Sequence, residues 1–266
     1  MQSALVFALV LLATWESWRW YFRRLLAAPE DGLALMLALV VLALVAARRA
    51  ERTPAGRLPL ATLAVLLAGY AASRGLAPPI VRAGLAAGIA VFCLQVTVFR
   101  RQPPLALWGV AALALPVLPS LQFMLGYPLR LASAVLAVGL IKCHGLAVER
   151  HGTMLVWHGA MVEIDAPCSG VTMLWAGLLF TLMGCALLEL GAGRTVAAAL
   201  CSILLAVAGN VLRTISLFYL EIGLSVQLGL NGAPPAWWHE AIGLVAFGLA
   251  SVVMLRLLGQ MRRWPA

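Results

Sequence analysis

Apolar runs of membrane-crossing length, separated by small charged clusters, constrain this chain more than any other feature. They cover about 3–22, 32–47, 58–72, 83–99, 105–125, 167–188, 195–219 and 239–258. A helix needs about 20 apolar residues to cross the hydrocarbon slab. Backbone polar groups find no water there, so a segment of this kind must be helical. Hydrophobic residues make up 63% of the 266 and charged residues only 11%, which excludes an ordinary soluble domain. The expected fold is therefore an all-α polytopic membrane protein with about eight transmembrane helices. The first run is the weakest, because Glu16 and Arg19 interrupt its second half. Residues 1–104 read as an N-terminal set of about four spans, and 105–266 as a C-terminal core that includes an extracytoplasmic segment at 126–167.

The net charge of +9 raises the question of nucleic acid. Its arginines are scattered between apolar runs, as loop charges of a membrane protein are, whereas a phosphate-binding face would gather them. No nucleic-acid partner is expected. Basic residues are 18 Arg to a single Lys, Lys142, a bias of GC-rich bacterial codon usage. Loop arginines slightly favour cytoplasmic N- and C-termini in a bacterial inner membrane. The run from Ser3 to Ala13 lacks a basic flank and a small-residue cleavage site, so a cleaved signal peptide is not expected. Five cysteines occur without any C-x-x-C pair, which argues against structural disulfides and zinc sites. Cys93, Cys185 and Cys201 fall within apolar runs, where a cysteine packs as a small hydrophobe. No metal and no cofactor are expected.

Two stretches break the pattern. Gly126 to Gly145 is apolar in the middle but carries Arg130 and Lys142 near its ends; crossing the membrane and lying in its interface are both open to it. The following LAVERHGTMLVWHGAMVEIDAP mixes apolar and charged residues around two turns, His151-Gly152 and His158-Gly159. That pattern predicts two short strands in a hairpin outside the bilayer, leading directly into Cys168.

From Cys168 one span runs to about Glu189, and GAGR turns the chain. Arg213 lies about 27 Å back along the next span at 1.5 Å per residue, and His239 opens the last one. Cys168, Arg213 and His239 are thus expected at one membrane face. Singly, they read as a small residue near a helix cap, a snorkelling arginine and an interfacial histidine beside Trp237 and Trp238. Together they supply a nucleophile, a base and a cation. A helix N-terminus favours a thiolate, so a depressed thiol pKa is expected, with Asp165 or Ser169 capping and Pro167 in the first turn. The imidazole takes the thiol proton, while Arg213 or the N–H groups near Ser169 and Gly170 face the oxyanion. Gly170 leaves room for a peptide.

Cys168 within APCSGV, Arg213 within GNVLRTISL and His239 within WWHEAIG resemble the exosortase/archaeosortase family of membrane cysteine transpeptidases. The stretch Leu118 to Ala134 is similar too, with a Gln followed by Gly-x-Pro-x-Arg. The resemblance covers roughly 105–260. It implies a protease or transpeptidase that cleaves a C-terminal sorting signal of exported proteins, namely a short motif such as Pro-Glu-Pro, a transmembrane helix and a basic cluster. Cleavage would pass through a thioacyl enzyme on the extracytoplasmic face. Cys168 would be the nucleophile, His239 the general base or acid, and Arg213 the stabiliser of the oxyanion. Arg130 and Asn210 are further candidates by position. Glu163 and Asp165 would orient His239, bind substrate or simply be solvated. The implied partners are exported proteins and membrane lipid. Compared with the commonest exosortases the chain is short of a large periplasmic domain and a fused partner, which leaves the substrate motif open. A transporter and a non-catalytic assembly scaffold are the alternatives. Transporters favour inverted repeats and broken helices near mid-bilayer, and neither is visible here.

Overall fold

Prolines and back-bonding hydroxyls divide the apolar runs into helices. A computed structural model describes residues 2–27, 35, 39, 43, 57–97, 105–165, 168–227 and 236–263. The expected span 32–47, apart from 35, 39 and 43, and also Pro167 and the loop 228–235, lie outside the described residues.

The first run is two helices, α1 (Gln2–Ala13) and α2 (Trp15–Ala27). At the break, the Thr14 hydroxyl donates to the Val10 carbonyl at 2.7 Å, satisfying a backbone acceptor where the helix stops. Next come α3 (Arg57–Ala72) and α4 (Pro79–Thr97). The run expected as one span at 105–125 is instead a short α5 (Leu105–Leu113) and the start of α6 (Leu118–Cys143). Pro116 sits in the gap, where it cannot continue the helix. The segment 126–145 belongs almost wholly to α6, which settles its form as a continuous helix. Three strands follow: β1 (Glu149–His151), β2 (Met154–Trp157) and β3 (Ala160–Glu163). Then come α7 (Val171–Leu187), α8 (Ala192–Gln227) and α9 (Ala236–Arg263).

Among the described residues there are nine helices. Three of them are long and apolar enough to cross a membrane, at Leu118–Cys143, Ala192–Ile222 and Trp237–Arg263, and three more are shorter apolar helices. These stand where about eight spans were expected. The strand segment is also richer than a two-stranded hairpin. It is an antiparallel sheet in the order β1-β2-β3, with Arg150 opposite Leu155 and Leu155 opposite Val162. The turns fall where the sequence put them. Gly152, His158 and Gly159 all have positive φ, the left-handed backbone a tight hairpin turn requires.

The chain divides into two compact units, residues 1–117 with 182–196, and residues 118–181 with 197–266. In the first, Val10, Leu63, Tyr70, Ala86, Ile89 and Cys93 form a core from α1, α3 and α4. Its polar groups answer one another. Ser17 Oγ and the Tyr70 hydroxyl are 2.6 Å apart, the Tyr21 hydroxyl donates to the Ala114 carbonyl, and Glu16 pairs with Arg74 and Arg82. In the second, Ala134, Ala137 and Ile141 of α6 pack with Val148, Leu155 and Val162 of the sheet segment and with Val211, Leu217 and Phe218 of α8. Small residues on α6 let neighbouring backbones approach, as helices packing in a membrane require. Cys168 belongs to this core.

Candidate active site

The turn that carries Cys168 is built from local hydrogen bonds. The Cys168 N–H donates to the Asp165 carbonyl at 2.9 Å, and the Val171 N–H donates to Ser169 Oγ at 3.4 Å. Ser169 thus satisfies one of the orphan donors at the start of α7. Gly170 adopts φ +80°, and a Cβ there would lie 2.7 Å from Asn210 Cγ, so both the backbone and the space demand glycine. Asn210, on α8 and fully buried, donates through Nδ2 to Ser133 Oγ at 2.8 Å and to the Cys168 carbonyl at 3.2 Å. One amide therefore ties α6, α8 and the cysteine turn together. Ser133, the partner on α6, was not a candidate on sequence grounds.

Cys168 Sγ lies 3.8 Å from His239 Nδ1, within hydrogen-bonding reach for sulfur. Arg213 Nη2 donates to the His239 carbonyl at 3.0 Å. The three residues that span-counting put at one face are thus gathered into one cluster. Gly243 makes this possible: a Cβ there would stand 3.1 Å from both Cζ and Nε of Arg213. On its other side, His239 Nε2 is 3.7 Å from Glu221 Oε1. Sequence reasoning left Asp165 and Glu163 open between orienting His239, binding substrate and being solvated, and did not single out Glu221. Glu163 pairs with Met154 in the sheet, and both it and Asp165 are exposed. The available signal was an acid eight residues beyond Arg213 on the same helix, at the end of an apolar run.

Cys168 is 5% exposed. Burial pushes its thiol above the ordinary value, the Arg213 charge draws it back down, and Asp165 and Glu221 push it further up. The sequence led to a thiol depressed by a helix N-terminus. Cys168 instead stands three residues ahead of α7, in an apolar core with the charges of Asp165 and Glu221 in reach, and burial is the largest influence on its thiol. A thiol of this kind needs a base to take its proton, and the imidazole is in place for that.

A cavity of about 650 Å3 adjoins this cluster. Gln122, Gly126 and Arg130, spaced four apart, turn one face of α6 towards it. Ser169, Thr172, Arg213, Glu240 and Gly243 line it together with the apolar Met173, Ala176, Leu244 and Phe247. Among the described residues, Arg130 Nε is buried without a hydrogen-bond partner. Cys168 and His239 do not line the cavity themselves; their chain neighbours Ser169 and Glu240 do. No group of three or more metal-ligating side chains occurs among the described residues.

The fold is thus that of a multi-pass helical membrane protein whose C-terminal helices hold a buried thiol against an imidazole beside an arginine-walled cavity. The chain belongs to the transmembrane exosortase family, whose family model matches residues 2–256. Membership assigns it, in general terms, to membrane proteins of the transpeptidase type that act on exported proteins. A search of the curated proteins and a search of the solved structures each gave no match.

Proposed function

We propose that this protein is a membrane cysteine peptidase or transpeptidase that cleaves a C-terminal sorting signal of exported proteins on the extracytoplasmic face. The signal has a short motif, a transmembrane helix and a basic cluster. The observation that carries this reading is the 3.8 Å approach of Cys168 Sγ to His239 Nδ1, next to Arg213 and an open cavity.

The chemistry runs in two halves. His239 Nδ1 accepts the Cys168 proton as Sγ bonds to the scissile carbonyl carbon, and the carbonyl π pair moves onto oxygen. The Arg213 guanidinium, held against α9 by its bond to the His239 carbonyl, faces the cavity where that oxyanion forms. On collapse the C–N bond breaks, and the imidazolium gives its proton to the departing amine. A thioester at Cys168 remains. Water or an amine then attacks it, His239 takes the attacker's proton, and the thiolate leaves and is reprotonated. Arg130 and Gln122 hold the substrate peptide in the cavity.

The test is Cys168→Ala on a tagged exported protein that ends in a span and an arginine-rich tail. Processing falls to background while the level of folded enzyme is unchanged. Wild-type processing by this variant ends the proposal.

A further inference from the structure

Glu221 has no part in the chemistry just described, yet it approaches the free edge of the imidazole. This inference rests on the reading of Cys168 and His239 as nucleophile and base. We infer that Glu221 is a positioning residue: its carboxylate holds the His239 ring with Nε2 as the N–H and Nδ1 as the lone pair that meets the thiol.

A neutral imidazole carries one proton, and which nitrogen has it is set by what the other nitrogen meets. Nδ1 faces Cys168 Sγ at 3.8 Å and Nε2 faces Glu221 Oε1 at 3.7 Å. The thiol, the ring and the carboxylate therefore lie in sequence. A carboxylate can only accept, so it selects the tautomer with the proton on Nε2. The opposite tautomer would point an N–H at the thiol and leave it without a base. The carboxylate also stabilises the imidazolium that forms when the thiol proton is taken, as in hydrolytic triads generally. Both separations exceed a tight hydrogen bond, and such contacts shorten when substrate closes the site.

The placement carries weight because the acid sits on a helix that crosses the membrane. A carboxyl near the end of α8 with only 21% of its side chain exposed is costly there and is usually retained for use. Among the described residues, the charged groups that bear on the ring and the thiol come from several elements. Cys168 comes from the turn ahead of α7, Arg213 and Glu221 from α8, Glu240 from the next position on α9, and Asp165 from the stretch after β3. Arg213 grips the ring's own backbone carbonyl, and Glu240 turns to the cavity. Asp165 is the rival acid, since its charge also reaches Cys168.

The experiment uses the full chain in detergent micelles, the tagged substrate above and three variants: Glu221→Gln, Glu221→Asp and Asp165→Asn. Glu221→Gln is expected to lower kcat by about 10- to 1,000-fold with KM within about twofold, and Glu221→Asp to recover part of the loss. The acidic limb of the pH–rate profile moves to lower pH in Glu221→Gln, because loss of the negative charge eases deprotonation of the thiol–imidazole pair. Asp165→Asn does not reproduce the kcat loss of Glu221→Gln. The inference is overturned if Glu221→Gln keeps both kcat and its profile, or if the loss follows Asp165→Asn instead. It is also overturned if Glu221→Asp recovers nothing and the folded fraction falls in both Glu221 variants, which would mark a structural role. Cys168→Ala in the same assay separates the two claims. If it still processes substrate, the nucleophile reading fails; if it is dead while Glu221→Gln is wild type, only the Glu221 assignment fails.

Discussion

Both compact units carry charge on apolar helices, and they handle it in opposite ways. In the first, Glu16 answers Arg74 and Arg82, and the Arg82 guanidinium also lies 5.1 Å over the Tyr70 ring. The cavity of that unit, about 340 Å3, is walled by side chains such as Phe7, Leu11, Trp15, Trp18 and Phe22. In the second, Arg130, Arg213 and Glu240 line an open cavity, with the Cys168 thiol and the His239 imidazole paired beside it. Charge on an apolar helix alone therefore does not mark a working site. Paired charges facing each other lock helices together, whereas charges facing a space are available to a substrate.

That contrast breaks if a variant in the first unit stops catalysis as sharply as one in the second. The largest expected effect is that of Arg213→Ala, a loss of about 10²- to 10³-fold in kcat for removal of one oxyanion-facing donor, read as turnover per folded molecule. Arg82→Ala should instead lower the yield of folded protein and leave turnover per folded molecule unchanged. Gly170→Ala comes next. It forces a side chain into φ +80° and against Asn210, a strain of order 1–3 kcal/mol. Displacement of Cys168 should cut kcat by about 10- to 100-fold, measured beside thermal unfolding.

Alkylation of Cys168 by iodoacetamide sharpens the electrostatic half of the comparison. Because burial raises the thiol, its reaction rate should keep climbing with pH beyond the midpoint of an ordinary cysteine. Arg213 lowers the thiol, so Arg213→Ala moves the midpoint higher still. A midpoint that falls in that variant contradicts the assignment. The smallest effect is expected from Tyr70→Phe, which deletes a buried hydroxyl contact with Ser17. It should cost about 1 kcal/mol of stability with no change in kcat.

Much of this was legible in the chain. Long apolar runs gave most of the helices, since nothing else satisfies a backbone in lipid. His151-Gly152 and His158-Gly159 marked the turns because a left-handed backbone selects such residues. Helix rise alone was enough to put Cys168, Arg213 and His239 together. The misses share a cause: they depend on how helix faces meet. Pro116 and Thr14 end helices inside runs that hydropathy joins. Gly243 matters only because the Arg213 side chain crosses α9 there, and Ser133 only because Asn210 reaches α6. Glu221 sat unremarked at the end of a span, while Asp165 and Glu163, close in sequence to Cys168, were the acids weighed. The acid that lies nearest the ring comes from α8, 3.7 Å from His239 Nε2, a proximity that sequence order does not reveal.

The central claim is that Cys168 forms a thioester with the exported half of its substrate. Its most direct measurement is acid quenching of wild-type enzyme during turnover, followed by peptide mass spectrometry of the segment containing Cys168. The expected result is that segment carrying the mass of the substrate's cleaved N-terminal portion, released by neutral hydroxylamine and missing in Cys168→Ala. Steady turnover with an unmodified Cys168, or an adduct on another residue, would contradict it.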